Sequence, residues 1–158
     1  MSVEKNKELV RRFLTGPGEK FIRQALKNEN PMAVLIERTR KDFEKLMTPD
    51  FIAHGMGGEA NLDNYIQINA MMCMSMPDMS FPVKHTVAEG DFVAVFVNTC
   101  GTHEGPMMFP QGTVQGTGNK IKYESMYFFR CNKGKIAEIW ACHDTLTMMQ
   151  QFNAIPKR

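Results

Sequence analysis

The groups best suited to proton chemistry lie close together near the C-terminal end of the chain. Ile121 to Cys131 alternates like a strand, and Ile136 to Cys142 is a second short apolar run that ends in His143-Asp144. In a strand successive side chains point to opposite faces. Tyr123, Ser125, Tyr127 and Phe129 therefore share one face, while Lys122, Glu124 and Arg130 mark the other as the solvent side. With Gly134 in a three-residue turn, Tyr127 falls opposite Ala141 and Ser125 opposite His143. A Tyr–Ser–His cluster of this kind could do acid–base work. His143 titrates near neutral pH and could be a general base, and the Tyr127 hydroxyl could donate to a developing enolate oxygen. A His hydrogen-bonded to Ser125 or Asp144 in a purely structural role fits the same residues.

The other histidines are weaker candidates. His54 follows Asp50-Phe51-Ile52 and could line the same pocket. His103 lies in a Gly-Thr-His-x-Gly turn and reads as a turn or rim residue, and His85 alternates with Val83 and Val87 and could be buried. No closely spaced ligand pair supports a metal site from His54, His103 and His143, so none is expected. A P-loop, a dinucleotide fingerprint and a Gly-x-Ser-x-Gly elbow are absent. Asp144 stands where a helix cap would, with Leu146, Met149 and Phe152 forming an amphipathic tail behind it.

The elements that must hold these groups follow from periodicity. Helices are expected over residues 3–14, 19–29, 31–47 and 62–76, with Pro31 in a first turn and Asn61 as a cap. Strands are expected at 51–54, 79–88, 92–102, 120–131 and 135–143, with Glu89-Gly90-Asp91 as a tight hairpin. The loop 103–118, rich in Gly and Pro, is long for a compact domain and reads as a lid or pocket rim. Helices first and an antiparallel meander afterwards argue for an α+β domain, a cone with helices packed on a curved sheet around a cavity.

At 158 residues the chain reads as a single domain, 1–158, in which residues 1–40 are a helical N-terminal extension. A net charge of +2 and the lack of a Lys/Arg run give no case for nucleic acid. No apolar run suits a membrane helix, and the start lacks the apolar core of a secretory signal, so the expectation is a cytosolic protein. The four cysteines lack C-x-x-C spacing and read as buried, reduced thiols. Of the 14 methionines, Met71, Met72, Met74, Met76, Met79, Met107 and Met108 cluster, which suits either an adaptable cavity wall or plain core filling.

Five motifs occur in order: Thr48-Pro49-Asp50-Phe51-Ile52-x-His54, Ala88-Glu89-Gly90-Asp91-x-Val93-Ala94, Gly101-Thr102-His103-x-Gly105, Thr117-Gly118-x-Lys120, and Gly134-Lys135-Ile136-x-Glu138-x-Trp140-x-x-x-Asp144. The series resembles the SnoaL-like polyketide cyclase family of the nuclear-transport-factor-2-like fold, from about residue 40 onward. The resemblance implies one apolar pocket, a homodimer, and ring closure by intramolecular aldol condensation without cofactor or metal. It also implies an acidic residue that takes a proton from carbon and an assisting His. Five residues after Ile136 the acid position is Ala141, and nine before it the His position is Tyr127. Both groups are replaced here. The substrate-contacting set is then His54, Trp140, Ser125, Tyr123, Phe129 and Asp144 around His143 and Tyr127, with a small apolar carbonyl compound as the guest. A non-catalytic protein that binds a hydrophobic small molecule is the alternative.

Overall fold

The first helix, α1 (Val3–Thr15), starts where the Ser2 hydroxyl accepts from the Lys5 amide, and it buries Leu9, Val10 and Leu14 on one stripe. In this computed structural model, which describes residues 2–55 and 57–156, α2 (Glu19–Ala25) follows and α3 (Pro31–Leu46) begins at an Asn30 cap with Pro31 in its first turn. The second helix is shorter than its sequence suggests. β1 (Met47–Gly55) starts directly at the end of α3, so Thr48-Pro49-Asp50 belongs to the strand expected at 51–54. β2 (Gly58–Asn61) pairs back onto β1, a strand not expected from the sequence. Asn61 then caps α4 (Leu62–Ser75) by accepting from the Asn64 amide at 2.9 Å.

The second half is the expected meander: β3 (Val83–Glu89), β4 (Phe92–Thr102), β7 (Lys120–Asn132) and β8 (Lys135–His143), closed by α5 (Thr145–Gln151). Between β4 and β7 the long loop folds into a small separate hairpin, β5 (Met107–Phe109) and β6 (Gly112–Val114). The main sheet runs β2-β1-β8-β7-β4-β3, with only the β1–β8 pair parallel. Helices α1 and α3 pack on its inner face around Phe43, Met47, Phe51, Phe129 and Ile136, all buried. The opposite face is open and carries exposed Phe92, Met126 and Phe128. Among the described residues no helix is long and apolar enough to cross a membrane.

The β7–β8 hairpin corrects one expectation in an instructive way. Its turn has two residues, Lys133 (φ 47°) and Gly134 (φ 86°), both left-handed as the tight hairpin turn demands. A two-residue turn alone would put Ser125 out of step with His143. A bulge restores the pairing: Ile136 faces Cys131, Glu138 faces Arg130, and Ala137 is the extra residue between. Ile136 and Ala137 are consequently buried side by side, and inward positions continue at Ile139.

Candidate functional site

Beyond the bulge, the odd positions of β8 point inward. Ile139, Ala141 and His143 line a cavity of about 1070 Å³, and Tyr123, Tyr127 and Thr99 line the same space from β7 and β4. The register places Tyr127 opposite Ala141, Ser125 opposite His143, and Thr99 opposite Tyr123. The remaining wall is apolar, with Phe13, Phe43, Tyr65, Met72, Met79 and Met107 among its members. Charged side chains on it, such as Arg12, Asp42 and Glu59, are solvent-accessible and lie at the rim.

His143 is held from one side. Its Nδ1 lies 2.9 Å from Ser125 Oγ, and that hydroxyl lies 2.9 Å from Thr99 Oγ1. Thr99 is 1% exposed and Ser125 2%, so both hydroxyls are shielded from water, and these contacts satisfy them. Nε2 of His143 has no hydrogen-bond partner among the described residues and borders the cavity. The rings of Tyr127 and Tyr123 meet the imidazole edge-on, with centroids 5.7 and 5.9 Å away. Burial lowers the His143 pKa, so the ring is neutral at neutral pH. Burial also pushes the Tyr127 phenol up to about 12 while the Thr99 and Ser125 hydroxyls act against that rise, which keeps Tyr127 a donor.

Several residues expected at the site lie elsewhere. Trp140 sits at an even position of β8 and projects from the outer sheet face, away from the cavity walls. His54 touches the cavity rim, but its imidazole stacks on Trp140 (4.9 Å, 9°) between Glu59 and Glu138, with 3.2 Å to each carboxylate. Phe129 is fully buried in the core against Phe13 and does not border the cavity. Asp144 is exposed and accepts from the Thr147 amide at 3.1 Å as the cap of α5; the Thr147 hydroxyl, and then that amide, lower its pKa. Cys142, expected to be buried, faces outward, and His85 is exposed beside Phe96.

His103 is fully buried, with Nδ1 3.0 Å from Thr117 Oγ1 and its ring edge-on to Phe152. It pins the base of the β5–β6 hairpin to α5. Arg23 of α2 grips the adjacent Glu104 with two hydrogen bonds of 2.9 and 3.0 Å, tying the N-terminal extension to the same hairpin. Met107, Met108 and Phe109 of that hairpin border the cavity. The three histidines weighed as metal ligands thus occupy three separate places, and among the described residues no three His, Cys, Asp or Glu groups are placed to hold a metal ion.

Thr99 was not singled out from the sequence. Its signal is the series Val93, Val95, Val97, Thr99, in which one hydroxyl continues an otherwise apolar inward period.

The SnoaL-like polyketide cyclase family model matches residues 31–152. The chain belongs to the SnoaL-like polyketide cyclase family. Its fold is the nuclear-transport-factor-2-like one, shared with AclR of Streptomyces galilaeus (TM-score 0.74, 20% identity, 99% of this chain and 86% of that one). A protein of Jannaschia sp. CCS1 named for the same SnoaL-like polyketide cyclases gives 0.71 at 22% identity, over 97% and 94% of the two chains. TsrD of Streptomyces laurentii gives 0.72 at 15% identity, over 98% and 99%. No curated protein matches the sequence. Within this SnoaL-like domain, Ala141 and Tyr127 face each other across the cavity wall. The positions that the resemblance assigns to a carboxylate and an imidazole thus hold a methyl group and a phenol, and the imidazole of His143 stands one inward position further along β8.

Proposed function

We propose that this protein takes a small, largely apolar carbonyl compound into its cavity and acts on it by cofactor-independent acid–base chemistry of the cyclase, isomerase or dehydratase type. His143 is the base and Tyr127 the donor to the substrate oxygen; Tyr123 and Ser125 orient them. The observation that carries this reading is the Ser125–His143 bond, which fixes Nδ1 and leaves Nε2 free beside Tyr127 at the cavity wall. A neutral imidazole and an un-ionised phenol suit proton removal from carbon with charge developing on oxygen. The mostly uncharged inner wall favours a neutral guest, and the methionines along it suit guests of varied shape.

A second reading has its own support. Ala141 leaves the inner wall without the family's carboxylate, and a pocket that only binds a hydrophobic molecule would tolerate that loss. The protein pairs with a second copy through the open sheet face, where Phe92, Met126 and Phe128 are exposed beside Trp140; sedimentation of wild type against Phe128→Glu reports on it.

Native mass spectrometry of protein purified from its own host tests the function. A stoichiometric neutral carbonyl compound, converted by wild type and not by His143→Ala, supports the enzyme. A guest returned unchanged by wild type supports the binder and overturns catalysis.

A further inference from the structure

The helix side of the cavity carries polar groups that the chemistry proposed for the sheet side leaves unused. α3 and α4 pack against each other there, running in opposite directions. The Phe43 and Tyr65 rings stack with centroids 5.7 Å apart, while Leu35, two turns before Phe43, shares a buried cluster with Ala70 and Cys73. Residues four apart lie on one helix face. One turn back from Phe43 stands Thr39, and one turn on from Tyr65 stands Asn69, so the two fall at the same level of the helix pair. Both border the cavity.

Asn69 Nδ2 donates to the Tyr65 carbonyl at 2.8 Å. A carbonyl oxygen only accepts, so the amide nitrogen is the atom turned to the backbone, and Oδ1 is left without a partner among the described residues. Thr39 is 5% exposed, and its hydroxyl likewise has no hydrogen-bond partner among them. Buried polar groups are normally paired. The charged groups of α3 that touch the cavity do not fill this gap. Arg38 and Asp42 bond each other at 2.7 Å, and Lys45 is exposed at the rim. A hydroxyl on the guest satisfies both vacant groups, because it donates to Asn69 Oδ1 and accepts from Thr39 Oγ1. A carbonyl would leave Oδ1 unpaired, and an ammonium would give the Thr39 proton no acceptor.

We propose that Thr39 and Asn69 form a specificity site for a hydroxyl group of the guest, which makes the guest a hydroxylated but otherwise apolar carbonyl compound. The inference rests on the reading that the guest is a carbonyl compound meeting His143 and Tyr127 on the sheet side. Calorimetric titration of the whole protein with 2-tetralone and with each of its ring-hydroxylated isomers tests it. At least one isomer is expected to bind wild type about tenfold more tightly than 2-tetralone, the size of one net hydrogen bond. Asn69→Leu and Thr39→Val are each expected to remove that preference while 2-tetralone binds as to wild type, and Thr39→Ser to retain it. Should Thr39→Val fail to fold, Asn69→Leu carries the test from a half-buried position. No preference for any isomer in wild type, or an undiminished one in folded Asn69→Leu, overturns the site. Either result leaves the enzyme reading standing, because α-carbon exchange of 2-tetralone in deuterated buffer measures that separately. Failure of every ketone to bind wild type overturns the carbonyl reading of the cavity and this inference with it.

Discussion

Ser125 Oγ lies 2.9 Å from His143 Nδ1 across the β7–β8 pair, and this contact decides which ring nitrogen faces the cavity. It depends on the bulge at Ala137, because a single-residue slip would turn His143 to the outer face and Trp140 inward. The chemistry proposed for this wall therefore rests on backbone geometry more than ten ångströms along the strand, at about 3.4 Å per residue.

The buried histidines set a pH limit on stability. His103 and His143 both have pKa values lowered by burial, so protonation favours the unfolded chain. Their folded values lie below the unfolded imidazole value of about 6.5. Their contribution is therefore full above that pH and is lost as pH falls through it toward the folded values. Urea midpoints measured from about pH 7.5 to about pH 5.5 should fall, and replacing both residues with Gln should flatten the profile over this window. A double variant with the wild-type slope contradicts the assignment.

Asp144 separates capping from catalysis. Its carboxylate accepts from Thr147 at the start of α5 and does not reach the cavity. Asp144→Ala should lower Tm by thermal melting while 2-tetralone exchange is unchanged, and Asp144→Asn, which keeps the acceptor oxygen, should recover the Tm. Loss of exchange in a folded Asp144→Ala protein would move Asp144 into the chemistry.

Much of this site was legible from strand parity. Alternation along Tyr123, Ser125, Tyr127 and Phe129 identified the inward face, and cross-strand pairing brought His143 to Ser125. The same parity argues against a cavity position for Trp140, which alternates with Ile139 and Ala141. The turn was misjudged because a bulge and a three-residue loop produce the same downstream register, and local sequence does not distinguish them. β2 and the β5–β6 hairpin escaped notice because their stability comes from tertiary pairing over Gly-rich segments rather than from apolar alternation. Thr99 was overlooked as one hydroxyl in a run of valines.

The position of Ala141 offers a gain-of-function comparison. Ala141→Asp places a carboxylate on the cavity wall opposite Tyr127. Partial burial should lower stability by about 1–3 kcal/mol. In a His143→Gln background Ala141→Asp should raise exchange of 2-tetralone above that of His143→Gln alone, since the carboxylate supplies a second base at the wall. Equal exchange in the single and double variants argues against a carboxylate acting from that position.

The N-terminal extension acquires a place through the fork between Arg23 and Glu104, which lowers the pKa of the carboxyl and raises that of the guanidinium. Arg23→Ala should speed amide hydrogen exchange over residues 103–118 and leave the β7–β8 pair unaffected. The exchanged pair Arg23→Glu with Glu104→Arg should restore protection. Unchanged protection in Arg23→Ala would mean that His103 and Thr117 hold the hairpin base alone.

The central claim is that Nε2 of His143 moves a proton at the carbon of a neutral guest. It is tested most directly by deuterium incorporation at the α-carbon of 2-tetralone, comparing buffer, wild type and His143→Gln. The account predicts exchange above buffer with wild type, and a loss of about a hundredfold or more in His143→Gln that still folds and still binds the probe. Exchange at the buffer rate with wild type, or a His143→Gln rate equal to wild type, would contradict it.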